Sequence, residues 1–175
     1  ITYNNFGLPS AIQDPRGNVS TATYVPETLK VSAVTNAKGH VSHYCYFSIS
    51  NGCGAVGHPG GQPYGEHHYT LDPNGAMIDR VWYDAFGRVV QVIQPGDTDA
   101  VQTTLYVYTD NNQASVAAPF KIETWQRETT GCSGCVHPVF EFVDGLGRSV
   151  QSRSESANGT WQRVTNTTYD LLGRM

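Results

Sequence analysis

Residues 66–97 read EHHYTLDPNGAMIDRVWYDAFGRVVQVIQPGD. Runs rich in Val, Ile, Thr and Tyr alternate there with two turn sequences, Asp72-Pro73-Asn74-Gly75 and Asp84-Ala85-Phe86-Gly87. Proline presets φ near about −65°, and Asn-Gly accepts a positive φ, so these sequences are typical of tight chain reversals. Because parallel strands would need a long crossover, the segment predicts an antiparallel meander. The three predicted strands are Glu66–Leu71, Ala76–Tyr83 and Arg88–Ile93.

The same alternation of strand and turn extends to both ends of the chain. Helical periodicity is almost absent, and the 18 Gly and 9 Pro residues fit a fold with many turns. We therefore predict an all-β antiparallel meander that forms one structural unit over residues 1–175, with loops near 48–65 and 109–118. Nine further strands are predicted at Leu8–Gln13, Val19–Tyr24, Lys30–Thr35, His40–Phe47, Val101–Tyr108, Phe120–Arg127, Val136–Val143, Arg148–Arg153 and Thr160–Tyr169.

One short motif recurs along the chain: an aromatic residue or Val, then Asp or Asn, any residue, Phe or Leu, Gly, and usually Arg. Self-similarity of this kind indicates a repeat architecture. The copies are Tyr83-Asp84-Ala85-Phe86-Gly87-Arg88, Val143-Asp144-Gly145-Leu146-Gly147-Arg148, Tyr169-Asp170-Leu171-Leu172-Gly173-Arg174 and, in degenerate form, Tyr3-Asn4-Asn5-Phe6-Gly7. A second turn type interleaves with them at Asp14-Pro15-Arg16-Gly17, Asp72-Pro73-Asn74-Gly75 and, in relaxed form, Asn36-Ala37-Lys38-Gly39.

Each position of the motif has a physical role. The Asp side chain accepts hydrogen bonds from backbone N–H groups two residues on, and the Gly supplies a positive φ. The Phe or Leu before the Gly is expected to fold back over the sheet. The Arg opens the next strand, where it can reach the Asp across the turn, and the Tyr closes the preceding strand with its ring on the sheet and its hydroxyl near a polar group.

These motifs resemble the YD repeats of Rhs proteins, of teneurins, and of the B and C components of insecticidal toxin complexes. Residues 142–148 and 83–88 come close to that family's core signature, and the resemblance spans about residues 3–175, with poor matches at 48–66 and 109–135. In that family the repeats form a long β-sheet that spirals into a hollow shell, which can enclose a toxic polypeptide. The family's self-cleaving segment has no match in this chain.

The resemblance implies a non-catalytic structural scaffold, a wall segment of an extracellular β-shell that encloses cargo or builds a surface or filamentous assembly. Its expected partners are the remainder of its own polypeptide, neighbouring copies joined through sheet edges, and an enclosed cargo polypeptide. Because residues 169–175 stop within a turn motif, we expect the chain to be cut from a longer polypeptide. We expect it to be secreted or on the cell surface.

Composition and motif content exclude several other classes. Charged residues make up 15% and the formal net charge is −4, so no basic field is available for nucleic acid. No run of about 18 apolar residues occurs, so no membrane span is predicted. The chain carries neither a GxSxG nor an HExxH motif, and we expect no enzymatic activity and no cofactor. The histidines His67 and His68 are adjacent in a strand and should point to opposite faces.

The four cysteines are Cys45, Cys53, Cys132 and Cys135. In an exported chain the local disulfides Cys45–Cys53 and Cys132–Cys135 are the simplest pairing, although four cysteines allow three different pairings. Free thiols stay open as an alternative. A metal site is a second alternative, because the pair Cys132 and Cys135 has zinc-knuckle spacing and His137 follows it. A redox site on the same two cysteines is a third alternative.

Aromatic residues suggest a second function, recognition of carbohydrate or of a cell surface. Trp82, Trp125 and Trp161 have the flat rings that stack on sugars, and Tyr106 and Tyr108 accompany them. The competing explanation is cross-strand packing, which stabilises a sheet by about 0.2–1 kcal/mol per pair. Asn18, Asn158 and Asn166 begin N-x-S/T sequons, which matter only in a host that glycosylates secreted proteins.

Overall fold

The computed structural model of the chain describes residues 1–49, 53, 62–109, 120–155, 161–170 and 173. Within those ranges the chain forms thirteen β-strands in antiparallel pairing and no helix, which confirms the predicted all-β antiparallel fold. No described helix is therefore long and apolar enough to cross a membrane. The chain divides into two compact units, residues 1–89 and 90–175.

The first unit holds seven strands that are hydrogen-bonded in their sequence order. Each pairs antiparallel with the next; for example, Ala33 of the fourth strand lies opposite His43 of the fifth, and Tyr44 lies opposite Thr70 of the sixth. The strands are β1 Thr2–Tyr3, β2 Pro9–Gln13, β3 Val19–Tyr24, β4 Val31–Thr35, β5 Val41–Tyr46, β6 His67–Leu71 and β7 Met77–Tyr83.

The second unit begins within the eighth strand and continues the same up-and-down order. Its strands are β8 Val89–Ile93, β9 Thr104–Thr109, β10 Phe120–Arg127, β11 Val136–Val143, β12 Ser149–Glu155 and β13 Trp161–Asn166. The β10–β11 pair is the longest, with eight residues on each strand in continuous register from Phe120↔Val143 to Arg127↔Val136. Among the described strands of this unit, β13 pairs with β12 alone, so its other side carries unpaired backbone groups.

The predicted strand bounds are close to those observed, and the differences have a cause. β3, β10 and β11 match their predictions to the residue. β7 begins one residue later than predicted, because the Ala76 amide is held by the Asp72 side chain at 2.8 Å and belongs to the turn. β9 begins at Thr104, since Thr98 and Val101 bond to each other's backbone at 3.0 Å in both directions. The two-residue strand β1 was not predicted, and the loops predicted near 48–65 and 109–118 lie largely outside the described residues.

The best-buried part of the first unit lies around the end of β5. Phe47 has 0% exposure and stacks on the His68 ring with centroids 4.1 Å apart. Trp82 and Tyr69 approach His68 at centroid distances of 5.0 and 4.9 Å. These rings close a small core beneath the Cys45 disulfide, while most other strand residues of the unit are only half-buried or exposed.

Candidate functional site

The repeated turn is the most regular feature of the chain, and Asp84 shows how it works. One oxygen, Asp84 Oδ1, accepts the backbone N–H groups of Phe86 and Arg88, both at 2.9 Å. The Gly87 amide donates to the Asp84 carbonyl at 3.0 Å, and Gly87 has φ of 78°. One carboxylate oxygen therefore satisfies two turn amides, while Gly occupies the position where an L-residue would be strained.

The other carboxylate oxygen is held by arginine in two of the turns. Arg88 Nε and Nη2 lie 2.7 and 2.6 Å from Asp84 Oδ2, and Arg148 makes the same two contacts with Asp144 Oδ2, both at 2.7 Å. Charge-assisted contacts of this kind are stronger than neutral hydrogen bonds. The predicted Arg–Asp pairing across the turn is thus present in the two Asp–Arg copies of the motif that the structure describes in full.

The hydrogen bonds also set the protonation state of these carboxylates. The Arg148 amide, followed by the Arg148 guanidinium, lowers the pKa of Asp144 below its ordinary value of 3.8. Partial burial works to raise the pKa of Asp84, but the hydrogen bonds from Arg88 and Phe86 outweigh it, and that pKa is lowered as well. Both side chains are therefore ionised at neutral pH and act as acceptors, which suits turn-building and not proton transfer.

The second turn type has the same geometry as the first. Counting Asp84 and Asp144, six described turns place one side-chain oxygen on the amides two and four residues later, at 2.8–3.1 Å. The other four begin at Asn4, Asp14, Asn36 and Asp72. Each is followed three residues on by a Gly of positive φ: Gly7, Gly17, Gly39 and Gly75. The sequence signal for the relaxed copy at Asn36 was weak, yet its turn is complete.

The last copy of the motif is only partly described. Gly173 has φ of 77° and donates its amide to the Asp170 carbonyl at 2.9 Å, as the other glycines do. Tyr169 donates its hydroxyl to the Ser149 carbonyl at 2.9 Å, and the Arg148 guanidinium lies 4.5 Å from the centre of its ring. Arg174 lies outside the described residues.

The Phe or Leu that precedes the motif Gly is not buried as the sequence predicted. Phe86 and Leu146 are 71% and 78% exposed, and Phe6 is also exposed, so the expectation that they fold back over the sheet is wrong. A side chain at this position sits at the tip of the reversal, where it points away from the paired strands. The Arg88 guanidinium lies 5.2 Å from the centre of the Phe86 ring.

The turns at the two ends of the strands in the first unit differ at this tip position. Successive connections of a meander lie at alternate ends of its strands, so the turns that carry Phe6 and Phe86 lie at the same end. The three equivalent turns at the opposite end carry Arg16, Lys38 and Asn74 at the tip position. All five turns share one backbone geometry, but the tip residue is apolar at one end of the strands and polar at the other.

The motif tyrosines occupy different environments. Tyr83 is half-buried and edge-on to Phe47 at 6.1 Å, and burial, followed by the charges of Glu66 and Asp79, raises its pKa. Tyr3 is exposed.

Two tyrosines outside the motif perform the predicted role. Tyr24 donates its hydroxyl to the Pro9 carbonyl at 2.7 Å, and Tyr46 donates to the Val31 carbonyl at 2.6 Å. Both tyrosines are the last residue of a strand, just before the chain reverses. This position in the sequence could have been used to predict their role.

The tryptophans with described side chains take part in packing. Trp82 lies among His68, Phe47 and the Arg80 guanidinium, which is 5.7 Å from its ring centre. Trp125 is half-buried and donates its indole N–H to Glu123 Oε2 at 3.0 Å. The Trp161 side chain lies outside the described residues.

One polar cluster looks superficially catalytic. His67 Nε2 lies 3.2 Å from Asp79 Oδ2 and 3.5 Å from Thr70 Oγ1. A hydrolytic triad needs the acid and the nucleophile on opposite ring nitrogens, and here both partners share Nε2. The Thr70 amide also donates to Asp79 Oδ1 at 2.7 Å, so the cluster serves to join β6 to β7.

The cysteines form the two local disulfides, Cys45–Cys53 and Cys132–Cys135, as predicted. Because all four sulfur atoms are in covalent S–S bonds, the hypothesised four-sulfur metal site is not assembled. Within the described ranges no group of three or more His, Cys, Asp or Glu side chains is placed to hold a metal ion.

No protein-family model matches the sequence, and no curated protein matches it. The kinship with YD-repeat proteins therefore stays a prediction from the motifs.

Proposed function

We propose that this chain is a non-catalytic scaffold, a wall segment of an extracellular YD-repeat sheet that surrounds cargo or builds a surface assembly. The observation that carries the proposal is the six turns of one geometry, each of which returns the chain on itself. A repeated reversal of this kind can extend a sheet in one direction without limit, as a wall requires.

The wall acts by exclusion. The inner strands of each unit pair with a neighbour on both sides, which satisfies their backbone groups. The two disulfides support an extracellular setting, since such bonds persist where the environment is oxidising. The cargo would be a polypeptide held by the inner face of the sheet.

A wall segment must pair at its outer strands, and β13 offers a test. Thr167 donates its amide to the Val150 carbonyl at 2.9 Å, so the amides alternate and that of Val164 points away from β12. Val164→Pro removes this outward donor and leaves the β12–β13 ladder intact. Light scattering should show concentration-dependent association of the wild-type chain and a shift of the variant towards single chains.

A matched control separates the backbone from the side chain. Val164→Ala removes most of an exposed side chain but keeps the N–H, and it should associate as the wild type does. Circular dichroism and urea unfolding should show that both variants are folded. A wild-type chain that stays monomeric at its highest soluble concentration, or equal association of the Pro and Ala variants, would contradict edge pairing.

Carbohydrate binding is the second candidate, favoured by one arrangement in the second unit. Lys121, Glu123 and Trp125 lie on one face of β10, and Phe140 lies across from Glu123 on β11. An aromatic surface beside an amine and a carboxylate is the composition of a sugar-binding face. Binding on a glycan array that disappears in Trp125→Ala but persists in Trp82→Ala would favour this role over the scaffold.

A further inference from the structure

The two disulfides lie in very different surroundings. Cys45 is 1% exposed, lies opposite Tyr69 in the β5–β6 pair and comes two residues before the buried Phe47. Cys132 and Cys135 are both half-exposed, in the turn that joins β10 to β11, and the two residues between them are exposed. The second bond therefore joins two residues that are both partly accessible to solvent.

Thiol–disulfide exchange distinguishes the two bonds through the leaving group. A thiolate that attacks one sulfur expels the other as a thiolate, and exchange is faster when the leaving thiolate is well stabilised. Attack on the half-exposed Cys53 would expel Cys45 into a buried apolar setting, where the charged thiolate is disfavoured. Attack at Cys132 or Cys135 expels its partner into a half-exposed turn.

The exposed disulfide sits beside a contact between two neighbouring turns. The amide of Gly131 donates to Asp97 Oδ1 at 2.7 Å, and Thr103 Oγ1 donates to Asp97 Oδ2 at 2.5 Å. The turns are also in close approach, since a Cβ on Gly96 would lie 2.6 Å from Thr130 Cγ2. The residue that makes this contact, Gly131, immediately precedes Cys132.

We propose that Cys132–Cys135 is a thiol-exchange site that a dithiol opens selectively, and that its opening loosens the Asp97–Gly131 contact. One thiolate of the dithiol attacks a sulfur of the pair and forms a mixed disulfide, and the other cysteine leaves as a thiolate. The second thiolate of the reagent then displaces the first cysteine. Two electrons and two protons pass to the protein, which holds two thiols, while the reagent becomes a disulfide.

This site is independent of the scaffold proposal, because a wall segment does not require a reducible turn. It also requires no catalytic cysteine. The CxxC pair lies in a turn between two strands and not at a helix N-terminus, where a thioredoxin-like enzyme has its reactive cysteine. The disulfide is the substrate of exchange.

Dithiothreitol under native conditions tests the selectivity. Aliquots quenched with N-ethylmaleimide and analysed by peptide mass spectrometry should show Cys132 and Cys135 labelled at least about tenfold faster than Cys45 and Cys53. Equal rates, or faster labelling of the Cys45–Cys53 pair, would overturn the selectivity.

Amide hydrogen exchange measured by NMR tests the loosening. After selective reduction the Gly131 amide should exchange at least about tenfold faster, while the Ala76 amide, held by an unrelated turn, should not change. The double variant Cys132→Ser/Cys135→Ser should show the fast exchange without reductant, and Asp97→Ala, which removes the acceptor, should show it with the disulfide intact. If the Gly131 amide stays equally protected in the reduced protein, opening the disulfide does not loosen the Asp97–Gly131 contact. That result would not bear on the selective reduction of Cys132–Cys135, which the labelling experiment tests.

Discussion

Two glycines of a single turn should respond in opposite ways to the same substitution. Gly147 has φ of 77°, whereas Gly145, two residues earlier, does not lie in the left-handed region. An added Cβ meets nothing within 4 Å at either position. Replacement by Ala therefore introduces no clash, and the two variants differ only in what the backbone demands.

The magnitudes follow from that difference. An Ala forced into the left-handed region costs about 1–2 kcal/mol. Ala also restricts the unfolded chain, which stabilises the folded state by about 0.4–1 kcal/mol wherever the native φ suits it. Gly147→Ala should thus lose about 1 kcal/mol net and Gly145→Ala should gain up to about 1 kcal/mol. The unfolded-state effect cancels between them, so their difference, about 1–2 kcal/mol, isolates the cost of the turn conformation.

Urea unfolding followed by circular dichroism measures both variants against the wild type, at a common m-value. Gly147→Asn serves as a further check, because Asn tolerates positive φ better than Ala and should recover part of the loss. Equal unfolding free energies for Gly147→Ala and Gly145→Ala would refute the claim that this turn depends on a left-handed glycine.

Two further predictions concern the core and acid stability. Phe47→Ala should lower the unfolding free energy by about 3–5 kcal/mol, because the Phe47 side chain is fully buried. Phe86→Ala, at an exposed turn tip, should change the unfolding free energy by no more than about 0.5 kcal/mol. Urea titrations of both variants measure these changes. Asp144 has a folded pKa lowered below 3.8, so its stabilisation is complete above the unfolded pKa and is lost as the pH falls through the folded pKa. Stability should therefore decline below about pH 4, and Asp144→Asn should show a shallower decline in a pH series of unfolding curves.

Much of the fold was predictable because its signals are local. A turn such as Asp72–Gly75 encodes its own geometry, with the acceptor and the left-handed glycine both within four residues. Strand bounds follow once the turns are placed, and for that reason the bounds of β3, β10 and β11 could be predicted to the residue. The local disulfides were predictable for the same reason, since close cysteines on a hairpin or turn are held near each other.

What depended on tertiary contacts was not predictable. Nothing in the sequence near His68 indicates that Phe47, 21 positions away, would stack on it. The Asp97 carboxylate reaches Gly131 across 34 positions, and no periodic pattern marks that pair. The prediction for Phe86 and Leu146 was wrong because hydrophobicity suggests burial, while the turn geometry places both side chains beyond the sheet.

The most direct test of the scaffold proposal is an electron cryomicroscopy structure of the natural protein that carries this sequence. The proposal predicts that the outward amide of Val164 on β13 is paired with a further strand, from the same polypeptide or from another copy, and that the sheet bounds an enclosed space. A β13 edge open to solvent in the intact protein, with no enclosed space beside the sheet, would contradict it.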